Sequence, residues 1–116
     1  MDRLLRATLN TWNGLVAAAR SEMAFRQELA VLALSVPLAF LIASDSWKPL
    51  TLIAVVVMVL VVELLNTTIE KLSDVVTPTH DERIGRIKDM GSAAIGLTLA
   101  CTLIVWLVAL FEFFGF

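Results

Sequence analysis

The sequence predicts an all-α membrane protein with three transmembrane helices preceded by an amphipathic surface helix. Hydrophobic residues make up 59% of the 116 residues and charged residues only 17%, and the mean hydropathy is +0.86. Three stretches approach or reach the roughly 20 apolar residues that a spanning helix requires. We expect one integral-membrane domain over 1–116, with the surface helix at about 4–27 and spans at about 29–43, 50–66 and 90–112.

The surface helix is predicted from apolar residues that recur every three or four positions near the amino end. Leu5, Leu9, Trp12 and Val16 lie on this apolar face, and arginines and asparagines occupy other positions. A helix with this charge, length and tryptophan suits the membrane interface. An amphipathic core helix is the alternative, because periodicity alone does not distinguish lipid from protein as the apolar neighbour.

The spans are separated by two short polar segments. Residues 44–49 form a compact turn, with Trp47 expected at the outer headgroup level. The second helix should continue beyond its span to about Asp74 and stop before Pro78, because proline cannot continue it. Thr79 or Asp81 could cap the next helix. Small residues early in the third span predict close helix packing; they are Gly91, Ser92, Ala93, Ala94 and Gly96.

Pro37 lies within the first span, where proline is tolerated if the freed carbonyl finds another partner. Lysines and arginines concentrate before the first span and between the second and third, whereas the first loop holds only Lys48. The positive-inside rule therefore predicts a cytoplasmic amino end. The net charge of −2 and the lack of a basic patch argue against nucleic-acid binding. Cys101 has no second cysteine with which to form an intrachain disulfide.

Three polar residues end the apolar run at 50–62 and share one helical face. Glu63, Asn66 and Glu70 are separated by three and four positions. An ionisable side chain at membrane depth is costly and therefore indicates function. The alternative is that Glu63 only reaches the headgroups or pairs within a helix bundle.

Acidic and basic groups on the predicted cytoplasmic side could serve phosphoryl transfer. Carboxylates are ligands for Mg²⁺, a role open to Glu22 and Glu70. Lys88 could bind phosphates as a point charge, and Glu63 could accept a proton from a lipid hydroxyl. The sequence contains no glycine-rich phosphate loop of a familiar kind. The same groups could otherwise form a solvated cytoplasmic collar.

Three segments resemble the bacterial integral-membrane diacylglycerol kinase family, which includes diacylglycerol and undecaprenol kinases. They are Glu22-Met-Ala-Phe-Arg-Gln-Glu28, Val62-Glu-Leu-Leu-Asn-Thr-Thr-Ile-Glu70 with Asp74, and Gly85-Arg-Ile-Lys-Asp-Met-Gly-Ser-Ala-Ala94. The resemblance runs nearly end to end. It implies a homotrimer in the bacterial inner membrane, with composite active sites at subunit boundaries.

The resemblance also implies a role for individual residues. Glu63 would be the catalytic base, and Glu22 and Glu70 would bind Mg²⁺. The residues implied to bind ATP are Arg3, Asn10, Glu22, Asn66, Glu70, His80, Asp81, Lys88 and Asp89. Those implied to line the lipid-substrate path are Arg3, Trp12, Ala24, Phe25, Arg26, Gln27, Glu28, Glu63 and Ser92. The chain departs from the familiar pattern at Asn10, where an aromatic residue is usual, and at 79–81.

The leading hypothesis is ATP- and Mg²⁺-dependent phosphorylation of diacylglycerol to phosphatidic acid at the cytoplasmic membrane face. The same chemistry on undecaprenol is the nearest alternative. A small ion-coupled transporter, with Glu63 binding a cation or proton, is the alternative from another class. The grouping of candidate residues on one side disfavours a carrier, which needs a site reachable from both sides. A membrane adaptor without enzymatic activity is a further alternative.

Overall fold

The computed structural model describes residues 2–115, and these form four α-helices with no strand among them. The helices are α1 (Arg3–Ser21), α2 (Met23–Ile42), α3 (Trp47–Val76) and α4 (Glu82–Phe114). The last three are long and apolar enough to cross a membrane. The predicted all-α class with three long apolar helices is therefore confirmed, and it fits a multi-pass membrane protein.

The helix expected over 4–27 is divided at Glu22, which corrects the prediction of a single helix there. Glu22 has an extended backbone (φ −119°, ψ 114°), and α2 starts at the next residue. The Arg26 Nη1 atom donates to the carbonyls of Ala19 (2.8 Å) and Arg20 (3.2 Å). In a continuous helix, the backbone N–H groups of residues 23 and 24 would bind those carbonyls. A side chain from α2 satisfies them instead, which stabilises the break.

The first connection is shorter than the turn predicted at 44–49, because α3 already begins at Trp47. Asp45 Oδ1 accepts the backbone N–H of Lys48 at 2.7 Å. Pro49 fits in the first helical turn because backbone N–H groups there need no intrahelical acceptor. At its other end α3 stops at Val76, so the predicted stop before Pro78 is confirmed.

Helix α4 begins directly after Asp81, whose Oδ1 accepts the backbone N–H of Arg83 at 2.8 Å. Of the two caps considered, Asp81 is therefore the one used. Hydrogen bonds from the Arg83 side chain, and then from its backbone N–H, lower the pKa of Asp81 to about 2. The predicted spans at 50–66 and 90–112 lie inside α3 and α4, which continue as helix into polar sequence.

Helix α3 is central, and both α2 and α4 pack along it. Two hydrogen bonds link α4 to the α3 backbone: Trp106 Nε1 donates to the Leu52 carbonyl at 3.1 Å, and Thr102 Oγ1 donates to the Val55 carbonyl at 3.2 Å. Hydrogen bonds of this type favour helix association in lipid. Within the described part of α4, Gly91 is the one fully buried residue. The other small residues early in this helix are not buried in this chain, so the predicted close packing occurs here only at Gly91.

Candidate active site

Four carboxylates from α2, α3 and the break before α2 form one acidic cluster. Glu22 and Glu70 both act electrostatically on Glu63, and Glu63 acts on Glu28. All four are partly buried. The seven-residue spacing of Glu63 and Glu70 places them on one face of α3. The helix break places Glu22 beside that face.

Asn66 holds one acid of this cluster in place. Its Nδ2 donates to Glu70 Oε1 at 3.0 Å, and the side chain is buried, with 9% of the residue exposed. Gly91 of α4 lies directly behind it, because a Cβ atom at Gly91 would overlap Asn66 Oδ1. The orientation of Glu70 therefore depends on the close approach of α4 to α3.

Two buried acceptor atoms in this region have no hydrogen-bond partner within residues 2–115. They are Glu28 Oε2 and Asn66 Oδ1. Buried polar atoms are nearly always hydrogen-bonded in folded proteins, so unsatisfied acceptors indicate function or a bound group. Asn66 Oδ1 is packed against Gly91 of α4, so only Glu28 Oε2 indicates a binding site at the acidic cluster.

Two lysines lie at this end of the molecule, each paired with an acid. Lys71 Nζ is 3.4 Å from Glu22 Oε1 and 3.2 Å from Ser21 Oγ. Lys88 Nζ is 2.6 Å from Asp74 Oδ1. Sequence reasoning identified Lys88 but missed Lys71. Its partners are about 50 positions away in the chain, and no local pattern signals such a contact.

A family model described as prokaryotic diacylglycerol kinase matches residues 9–110 of the chain. This chain belongs to the prokaryotic diacylglycerol kinase family. It is 38% identical over 113 residues to the diacylglycerol kinase of Escherichia coli K12, covering 97% of this chain and 93% of that protein. It is 37% identical over 106 residues to the Pseudomonas aeruginosa diacylglycerol kinase, covering 91% of this chain and 86% of that protein. Membership of the diacylglycerol kinase family makes the chain an enzyme of the kinase class.

In this member of the diacylglycerol kinase family, some residues expected to bind lipid are exposed, whereas others are buried or bound within the chain. Trp12, Ala24, Gln27 and Ser92 are exposed and open to ligands. Phe25 differs from the expectation: only 2% of it is exposed, and it packs with Ala18 and Leu60. Burial of Phe25 at the helix break stabilises the fold, so this side chain does not line a path in this structure. The Arg26 guanidinium binds the end of α1.

The residues expected to bind ATP are only partly brought together. Asn10 lines a cleft of about 390 Å³ between α1 and α3, whose wall also includes Thr67 and Lys71. Arg3, His80 and Asp89 are exposed. The Asp81 carboxylate is 3.1 Å from the Arg83 guanidinium. In this chain Asp81 therefore stabilises the start of α4.

A magnesium site built from protein alone is absent, since no group of three or more His, Cys, Asp or Glu residues in the described chain could hold a metal. Mg²⁺ usually takes only one or two protein carboxylates, with phosphate oxygens and water completing the octahedron. Glu22 and Glu70, which both act on Glu63, supply that number. The donor set therefore fits Mg²⁺ whose remaining positions are taken by water or by the oxygens of a triphosphate.

Proposed function

We propose that this chain is an ATP- and Mg²⁺-dependent kinase that phosphorylates diacylglycerol to phosphatidic acid at the cytoplasmic face of the bacterial inner membrane. The observation that carries the proposal is the position of Glu63. It follows the apolar stretch of α3 and lies within electrostatic reach of Glu22 and Glu70. A carboxylate at this boundary can meet a lipid hydroxyl on one side and a metal-bound triphosphate on the other.

In the proposed reaction the acyl chains stay beside the apolar part of α3, with the hydroxyl next to Glu63. Glu63 accepts the hydroxyl proton while the hydroxyl oxygen bonds to the γ-phosphorus of ATP. The bond from that phosphorus to the β,γ-bridging oxygen breaks, and ADP leaves. Positioning of the two substrates supplies much of the rate. Mg²⁺ held by Glu22 and Glu70 would neutralise charge on the transferred group.

Asn66 keeps Glu70 oriented through its 3.0 Å hydrogen bond. Lys88 would bind phosphates after exchanging its contact with Asp74. Arg3, Asn10, His80 and Asp89 would bind the rest of the nucleotide.

We further propose that the chain works as a homotrimer with composite sites at subunit boundaries and with α1 lying in the cytoplasmic membrane interface. The support is the exposed face of α4, where Ser92, Ala93, Ala94 and Gly96 are open in the single chain. Small residues let helices approach closely in lipid. These positions are therefore suited to contact between subunits.

Replacing Glu63 with Gln tests the proposal. A positioned general base typically contributes about 10²- to 10⁴-fold, so Glu63→Gln should lower kcat by that factor while the protein remains folded. The assay follows transfer of radiolabelled phosphate from ATP to diacylglycerol and to undecaprenol under one detergent condition. Near-normal turnover in folded Glu63→Gln protein would exclude Glu63 as the base, and preference for undecaprenol would redirect the substrate assignment.

A matched control is Glu112→Gln. Glu112 also lies on a long apolar helix, but it pairs with Lys48 at 2.8 Å, far from the acidic cluster. We expect this variant to keep near-normal kcat. Loss of activity in both variants would indicate a general effect on the fold.

A further inference from the structure

Lys71 connects α3 to both sides of the helix break. Its ammonium group contacts Ser21 Oγ at 3.2 Å and Glu22 Oε1 at 3.4 Å. Ser21 is the last residue of α1, and Glu22 is the residue that joins α1 to α2. One side chain therefore fixes the position of Glu22 relative to the helix that carries Glu63 and Glu70.

The charges around Glu22 make this contact important. Glu22 and Glu70 both act electrostatically on Glu63, and Glu63 acts on Glu28; like charges in one site repel. Among the ion pairs formed by the described residues, only that of Lys71 includes a member of this acidic cluster. The neighbouring Lys88 pairs with Asp74 instead.

We propose that Lys71 is a positioning residue that acts as the resident counter-cation of Glu22. It holds the Glu22 carboxylate beside Glu63 and Glu70 in the metal-free protein, and it gives up Oε1 when a divalent cation binds there. The inference rests on the metal role of Glu22 under the proposed function. The Lys71 side chain is 57% exposed, and its flexible stem lets the ammonium group move into water.

Lys71 and a divalent cation would compete for Glu22 Oε1, and this competition affects both contacts. A divalent cation weakens the Lys71–Glu22 pair, and by linkage the pair weakens divalent-cation binding by the same factor. Loss of the Lys71 charge should therefore tighten metal binding and destabilise the metal-free fold. Because the Lys71 side chain is 57% exposed and that of Glu22 is 31% exposed, we expect an effect of about two- to fivefold, the range that exposed ion pairs support at low salt.

The experiment compares Lys71→Met with wild-type protein in low-salt detergent buffer. Electron paramagnetic resonance of free Mn²⁺, with Mn²⁺ alone as the probe, should show binding about two- to fivefold tighter in the variant. Without divalent cation, Lys71→Met should melt at a lower temperature than wild type. Saturating Mg²⁺ should reduce this difference in melting temperature. Lys71→Arg should restore wild-type values, because Arg keeps the positive charge.

Two controls separate this inference from the proposed function. Lys48→Met removes a lysine from an ion pair at the other end of α3 and should change stability equally with and without Mg²⁺.

Glu22→Gln should weaken Mn²⁺ binding. If Glu22→Gln weakens Mn²⁺ binding but Lys71→Met does not tighten it, only the role of Lys71 is overturned. If wild-type Mn²⁺ binding is independent of Glu22, the metal role and this inference both fail. Lys71→Gln provides a second charge-removing variant should Lys71→Met fold poorly.

Discussion

Asn66 links the chemistry of the site to the packing of the helices. Its amide nitrogen orients Glu70, and its oxygen faces the backbone of α4 at Gly91. A residue with any side chain at position 91 must displace Asn66 or move the helix. Gly91 is therefore required by close approach between α3 and α4, although it has no functional group of its own.

Gly91→Ala should accordingly impair both stability and activity. Forcing extra atoms into a packed contact costs about 1–3 kcal/mol, and displacement of Glu70 should lower kcat by about 10- to 100-fold. Unfolding in a mild denaturant and the kinase assay measure the two effects. In Gly85→Ala, by contrast, the new Cβ atom meets nothing within 4 Å, so higher helix propensity should stabilise α4 by up to about 1 kcal/mol. Equal behaviour of the two variants would contradict the role of Gly91.

At the scale of helices, side chains form hydrogen bonds with the free backbone groups at the helix ends. These side chains belong either to a neighbouring residue or to another helix. Asp81 caps α4 through the neighbouring backbone, whereas Arg26 of α2 satisfies the final carbonyls of α1. The first contact is local and could be anticipated from the sequence. The second forms only after the chain has turned at Glu22.

The cap of α4 predicts how stability depends on pH. The folded-state pKa of Asp81 is about 2, below its ordinary value of 3.8. The stabilisation from its charge is therefore fully present above about pH 4 and is lost as pH falls through about 2. Asp81→Asn keeps a capping side chain but removes the charge. Its melting temperature should lie below that of wild type at neutral pH, and the difference should vanish near pH 2.

Melting curves from pH 2 to pH 7 test this dependence on Asp81. Asp81→Ala removes the cap as well as the charge, and we expect it to melt below wild type throughout. A constant difference between Asp81→Asn and wild type across the whole range would show that the Asp81 charge does not stabilise the helix.

On the scale of the whole molecule, the ion pairs formed by residues 2–115 lie at the two ends of the helix bundle. Lys48 and Lys71 are 23 positions apart on α3, which corresponds to about 35 Å along a helix. Lys48 pairs with Glu112 at one end, and Lys71 pairs with Glu22 at the other. Only residues 50–62 of this length are apolar, apart from Thr51, and they cover about 20 Å. Glu63 therefore follows the apolar run about two thirds of the way from Lys48 to Lys71.

The distribution of basic residues predicts that the end of the bundle with the acidic cluster faces the cytoplasm. With Cys101→Ala as background, a thiol introduced by Asp45→Cys should react with a membrane-impermeant maleimide in intact spheroplasts. A thiol introduced by Thr79→Cys should react only after permeabilisation. The reverse pattern would place the acidic cluster outside the cell and rule out cytoplasmic ATP as its substrate.

Sequence alone predicted the helical class, the three long apolar helices, the stop before Pro78 and the two possible caps of α4. These features depend on composition and on residues within a few positions of one another. Resemblance to known kinases selected Glu22, Glu63 and Glu70 as one site. The structure brings these three within electrostatic reach, while their roles in catalysis and metal binding stay predictions.

The tertiary structure decided the break at Glu22, the burial of Phe25, the contact of Gly91 with Asn66 and the pairing of Lys71 with Glu22. Each involves groups that meet only when separate helices pack. Helical periodicity shows which residues share a face, but it does not show which face of another helix lies opposite. The hydrophobic pattern thus determined which segments are helical and apolar, and long-range packing decided how the charged groups between them are arranged.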